Sequence, residues 1–405
     1  MAKPKLALIP AAQGSKFYSV LPSSGVGDFD FTRSGSATRI NSQGLIETVG
    51  NGVSRLNYPL IDGKVVGCPS HLLEPSKQNA LQRSEEFDNS YWVNNGVTIS
   101  ANQIISPSGS LTADLLTGVS GGFGIVRFST WTATNKVASC FAKKGSSNLF
   151  TIKNASGGVG GVTFDLENGT VTNEDSGFEG DIENYGNGWF RCTAIDTSAR
   201  SGTFSLGVNS ASESVYIWGA QLESDYKTSY IPTTTTAVTR SAETANNSGD
   251  ANTFNDSEGV LMAEISALAE SSTYRFISLS DGTLSNRVSL FLSNNNTLNG
   301  SANGVSSIAS VVDIKNNNKV AYKYKSGDYS LWVNGFEVGT LTVTNGNHSN
   351  LNRLNFDYGQ GSDDFYGSTK QIQYFDTALT DTDLEKLTSW TSFSDMANGQ
   401  LYSIK

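Results

Sequence analysis

The chain has 405 residues and a formal net charge of -10 at pH 7, and only 16% of its residues are charged. A single core usually stops growing well below that length, so two or three domains are expected. The acidic balance, with no Lys/Arg stripe, excludes a duplex-binding protein, because neutralising phosphates needs a basic face. Abundant Gly, Ser, Thr and Asn, without long runs of Ala, Leu, Glu and Lys, favour short strands and turns over helices, so a nearly all-β chain is expected. At the amino terminus, MAKPKLALIPAAQGSKFYSV holds an apolar run too short for a signal peptide or a membrane span. The expectation is a soluble chain made in the cytoplasm without a standard export signal.

Residues 1–85 lack regular alternation and carry Pro4, Pro10, Pro22, Pro59, Pro69 and Pro75, six of the eight prolines. Proline fixes φ and removes a ladder donor, which predicts an extended, loop-rich segment that leans on something else for its order. From 86 to 240 short alternating runs take over. Val137–Ala142 and Val215–Leu222 read as strands, and Val162–Leu166 leads through Asn168-Gly169 into a second strand, a hairpin signal. A sandwich or jelly roll is expected there. The polar run 241–255 reads as a linker. In 256–405, strands are predicted at Val260–Ile265, Tyr274–Leu279 and Arg287–Leu292. Asn334-Gly335 between Tyr329–Val333 and Phe336–Val338 predicts a two-residue type I′ hairpin. Thr380 to Asp383 predicts a helix start, with Leu384, Leu387 and Trp390 on one face.

Cys68, Cys140 and Cys192 are far apart and His71 and His348 are the only histidines. Neither a disulfide framework nor a zinc site is expected, and the thiols read as core-filling in a reducing compartment.

The stretch from Tyr322 through the hairpin to LNFDYGQGSDDFYGSTKQIQYFDTALTDTDLEKL resembles the concanavalin A-like, laminin-G-like sandwich, with Gly367, Tyr374, Phe375, Ala378, Leu379 and Leu384 matching its closing strand and helix. Members often carry acidic residues after that glycine, where Ser368, Thr369, Lys370 and Gln371 stand here. No cofactor is expected, although Asp357, Asp363 and Asp364 could supply some oxygen ligands to a calcium ion. The opening PKLALIPAAQGSKFYSVLPSSGVGDFDFTRSGSATRINSQGLIETVGNGVSRLNYP, with CPSHLLEPSKQNALQRSEEFDN, GNGWFRC, VYIWGAQLE and TSYIPTTTTAVTR, resembles a group of tailed-bacteriophage virion proteins, tail-fibre or other fibre-like structural proteins. This resemblance covers essentially the whole chain. It implies a virion structural protein of the tail or head, commonly a homotrimer, with other virion proteins and host-surface glycans as partners.

The site expectations follow from residue chemistry. Sugars stack their C–H faces on aromatic rings beside polar groups, which singles out Trp92, Tyr358, Tyr366, Asp363 and Asp364 in polar, turn-rich sequence. Trp218 and Trp332 sit in alternating strands and read as core. Arg33, Arg39 and Arg55 would either tie the proline-rich segment to neighbouring subunits or pair with carboxylates of the same chain. Glu179-Gly-Asp-Ile-Glu183 has the carboxylate spacing of sandwich glucanases, but it runs into Gly186, Asn187 and Gly188 and reads as a solvated acidic loop. No nucleophile elbow occurs and no Ser-His-Asp set is available. A non-enzymatic, all-β chain is expected: an assembly segment (1–85), two β-sandwich domains (86–240 and 256–405) and a linker. The rivals are a purely structural virion protein and a polysaccharide-degrading one.

Overall fold

Alternating strands pair most regularly in the middle of the chain. A computed structural model describes residues 2–391 apart from 120–123, 130–135, 155–159, 199–201, 345 and 347. In it, two six-stranded antiparallel sheets face each other. One runs Val93–Asn95, Gly124–Ser129, Gly202–Gly207, Leu149–Asn154, Gly161–Asp165, Thr170–Glu174; the other runs Val97–Ile105, Leu111–Gly118, Ser214–Ser224, Lys136–Lys144, Trp189–Asp196, Phe178–Gly186. Phe150, Ile152, Phe164, Leu206, Ile217 and the directly opposed Cys140 and Cys192 fill the space between them. Gly169 takes φ +64° in the turn after Asp165, a left-handed conformation that glycine adopts without strain.

The C-terminal sandwich packs the strands Glu258–Ala267, Asn318–Lys325, Tyr329–Val333, Phe336–Leu341 and Gly367–Phe375 against a five-stranded sheet built on Arg275–Ser280 and Arg287–Leu292. Asn334 and Gly335 both have positive φ, as a type I′ hairpin requires. The helix Asp381–Thr388 is capped by Thr380, whose side chain accepts from the Asp383 amide. Leu384 and Leu387 dock it against Val260, Met262, Ala321 and Trp332 on the outer side of the larger sheet.

The first 85 residues depart from the expected separate assembly segment. The strand Leu6–Gln13 pairs with Gly367–Phe375, Leu6 opposite Tyr374, so it extends the larger C-terminal sheet across more than 360 positions of sequence. Lys16–Leu21 and Phe29–Thr32 follow in the same sheet, and Thr244–Asn246 forms its edge. The expected linker 241–255 is therefore partly a strand: Ala245 is buried opposite Phe31, and Ser248 exchanges two backbone hydrogen bonds with Leu354. Phe17, Phe29 and Phe31 are buried in the C-terminal core, with Phe17 stacked on His71 at 3.8 Å and Phe29 against Phe356 at 5.2 Å. Each such phenylalanine contributes about 1.5–3 kcal/mol of transfer free energy.

The rest of the segment turns the other way. Ile46 joins Phe141, Trp189, Trp218 and Tyr230 in a second core on the outer face of the middle sandwich, and Thr38 donates to the Tyr230 carbonyl at 2.5 Å. One stretch of chain is thus shared between two sandwiches. Cys68 also differs from expectation: it is exposed, whereas Cys140 and Cys192 are buried.

Candidate functional site

Three of the chain's arginines and two of its glutamates meet where the sandwiches and the N-terminal segment converge. Arg33 donates to Glu243 at 2.7 Å, and Arg55 donates to both Glu243 oxygens. Arg55 also reaches Glu74 at 2.7 Å, and Arg240 reaches Glu74 at 3.0 Å. All five side chains are essentially inaccessible. Burial raises the Glu74 carboxyl, but Arg240 and Arg55, with two hydrogen bonds from Ser229, outweigh it and hold Glu74 down at about 2. Burial likewise lowers Arg55, and the two glutamates more than reverse that. Of the two alternatives for Arg33 and Arg55, the structure shows pairing with carboxylates of the same chain, in place of an interface role. Arg39 is different. It is partly exposed and reaches Glu47 at 3.3 Å.

Beside this network opens a cleft of about 730 Å³. Its walls come from three parts of the chain: Thr38 to Glu74 of the N-terminal segment, Glu167–Gly169 with Ile182–Tyr185 and Lys227–Tyr230 of the middle sandwich, and Ser266–Leu268, Lys315 and Lys370 of the C-terminal one. Glu74 and Ser229 join the ion network to the cleft lining. The rim is set by a close backbone approach. The short hairpin Leu60–Ile61 with Lys64–Val65 turns at Gly63, φ +72°, directly on Gly186, φ +78°. A Cβ at Gly63 would overlap the Gly186 backbone and the Asn184 side chain. Gly63→Val is therefore expected to displace this hairpin and cost about 1–3 kcal/mol of stability, with loss of any cleft ligand; equilibrium urea unfolding and titration of the same variant read both.

The cleft is polar and aromatic together. Half-buried Tyr58 and Tyr185 line it with Asn57, Asn168, Asn184 and Asn317. Arg191 is buried on the strand Trp189–Asp196, where it faces Glu183 across the strand pair. It donates to the Thr228 carbonyl at 2.8 Å and the Ser139 hydroxyl at 3.2 Å, while its Nε has no hydrogen-bond partner among the described residues. Lys227 bridges Asp181 and Glu183. These two carboxylates and Glu179 lie on the edge strand Phe178–Gly186, which corrects the loop expected there.

None of the aromatic and acidic residues singled out for glycan contact lines this cleft. Trp92 is buried at 4% exposure against Phe87 and Phe204, and its indole N–H donates to the Arg83 carbonyl. It is a core residue, which corrects its reading as an exposed platform. Tyr366 packs against the C-terminal core and donates to Asp364 at 3.1 Å. Tyr358 lies 4.2 Å from Phe276 with the Arg287 guanidinium 3.8 Å above its ring. Asp363 is exposed in a left-handed turn. Asp357 is buried and accepts from the Gly359 amide at 2.6 Å. Among the described residues no three His, Cys, Asp or Glu side chains are grouped to hold a metal ion.

The cleft residues escaped sequence reading because no local motif joins them. The visible signals were GNGWFRC, which contains Arg191, and the acidic strand before it.

In class, the molecule is a β-sandwich protein with two sandwiches locked by a shared N-terminal layer. No family model matches the chain, and no curated protein does. Among solved structures it is similar to the CBM40 of the Ruminococcus gnavus IT-sialidase bound to α2,3-sialyllactose, with 18% identity, 34% of this chain and 84% of that one covered, and a TM-score of 0.30. It is also similar to domain 4 of AbnA, a GH43 extracellular arabinanase from Geobacillus stearothermophilus in complex with arabinotriose, with 11% identity, 41% and 83% covered, and a TM-score of 0.32. A SAP-like pentraxin from Limulus polyphemus follows with 16% identity, 33% and 76% covered, and a TM-score of 0.25. Likeness at this level assigns no function.

Proposed function

We propose that this chain is a non-enzymatic structural protein of a tailed-phage particle and that it binds host-surface carbohydrate in the cleft between its sandwiches. The observation that carries the carbohydrate part is the cleft itself. Its volume suits a few sugar rings, two tyrosines offer stacking faces, and asparagines offer paired donors and acceptors for hydroxyls. The particle part rests on the sequence resemblance over the whole chain. Assembly through Arg33 and Arg55 is not part of the proposal, since both are buried within the fold.

Binding without hydrolysis fits the carboxylates present. Asp181 and Glu183 are both held by Lys227 in an ion bridge, an arrangement that leaves neither facing a sugar alone. Weak single-site affinity becomes useful when several copies act together, as in the trimer that the resemblance implies.

The full chain on a glycan array tests this reading, with Tyr58→Ala and Asn184→Ala as controls. Binding by the parent that falls about five- to thirtyfold in each variant is the expected result, since a stacked ring or a buried hydrogen bond is worth about 1–2 kcal/mol. A folded protein with no binding above background would favour the purely structural alternative.

A further inference from the structure

We infer that the cleft takes a saccharide carrying an anionic group, a carboxylate or a phosphate, an assignment that rests on the carbohydrate reading above. The charge pattern of the lining supports it. Three of the cleft's carboxylates are already satisfied inside the fold: Glu74 by Arg55 and Arg240, Glu167 by Lys144, and Glu183 by Lys227 at 2.7 Å. Asp62, on the hairpin tip, is the fourth.

The cations divide into a paired and an unpaired group. Arg191, which donates to Thr228 and Ser139 and feels Glu183 and Glu223, and Arg39, paired with Glu47, are held within the fold, as is Lys227. Lys315 and Lys370 line the opposite wall and make no ion pair within 4 Å among the described residues; Glu264 acts on Lys370 only at longer range. In a chain of net charge -10, a cleft with three carboxylates paired inside the chain and two lysines that are not favours anions. A carboxylate or phosphate oxygen accepts from an unpaired lysine ammonium in a charge-assisted bond, which a sugar hydroxyl does less well.

The test is isothermal titration of the full chain with matched oligosaccharides: neutral, uronate-bearing and phosphate-bearing. The anionic members are expected to bind about tenfold more tightly than the neutral one, a difference of about 1.4 kcal/mol, and to weaken as NaCl rises. Lys315→Gln/Lys370→Gln, at positions outside the buried ion network, is expected to remove that preference, so that neutral and anionic members bind the variant equally. The better of the two anionic arms identifies the group. Equal binding of neutral and anionic members, or a preference that survives the double substitution, overturns the inference and leaves the carbohydrate reading standing. Absence of binding by every member overturns both.

Discussion

Replacing Glu243 with alanine lowers the unfolding free energy by about 3–5 kcal/mol, the usual cost of removing one partner from a buried ion network. Glu243 accepts from Arg33 and Arg55 and also from the Glu74 backbone amide. Without it, three buried guanidinium groups face the single carboxylate of Glu74, and two of them lose their strongest contact. Part of the cost is the desolvation of cations that can no longer reach an anion. Glu243→Gln keeps the shape and one acceptor oxygen, so it is expected to fall between the parent and the alanine variant. Urea unfolding followed by tryptophan fluorescence measures the difference, because both sandwiches contain buried tryptophans, Trp218 and Trp332. If residues 1–85 served only contacts with other subunits, the isolated chain would lose less than about 1 kcal/mol, as for an exposed pair.

Acid is expected to unfold the protein through the same layer, in two stages. His71 is buried against Phe17, and burial lowers it to about 4, partly offset by its contact with the Ile9 carbonyl. A histidine depressed in the folded state binds its proton first in the unfolded chain. Stability is therefore lost as pH falls from about 6.5 towards 4, by up to about 3 kcal/mol. Glu74, held at about 2, contributes stability that is present above its ordinary value near 4.5 and lost as pH falls through 2. That loss is again about 3 kcal/mol at most. Asp114 acts in the opposite sense. Burial, against hydrogen bonds from the Asn102 and Phe87 amides, raises it to about 6, so its ionisation opposes folding as pH rises through that range. Comparing the parent with His71→Phe cancels the Asp114 contribution. The difference in unfolding free energy between them is expected to change by about 3 kcal/mol between pH 7 and 4. A pH-independent difference would show that His71 does not titrate as its burial requires.

What was legible in the sequence follows from the range of each signal. The all-β class, the Asn334-Gly335 hairpin, the strand Arg287–Leu292 and the Thr380 cap rest on neighbours a few positions apart, and each stands where local chemistry places it. The N-terminal layer depends on partners at the far end of the chain. Leu6 pairs with Tyr374, Arg33 with Glu243, Arg55 with Glu74 and Glu243, and no periodicity in the segment announces those contacts. Its few phenylalanines were the available hint: Phe17, Phe29 and Phe31 alternate with polar residues only over three or four positions, too short to read as core. Trp92 was misleading for the converse reason. Its polar neighbours belong to turns, while the ring itself points into the middle sandwich. The cleft was hidden because its walls are three segments that only the fold brings together.

Hydrogen exchange of the full chain tests most directly whether the first 85 residues form a shared layer between the sandwiches. Amides of residues 6–8 are expected to be protected to the same degree as those of residues 372–374, because these two stretches pair directly with each other. Fast exchange throughout residues 6–73, with both sandwiches protected, would contradict the account and return the segment to a separate, attachable arm.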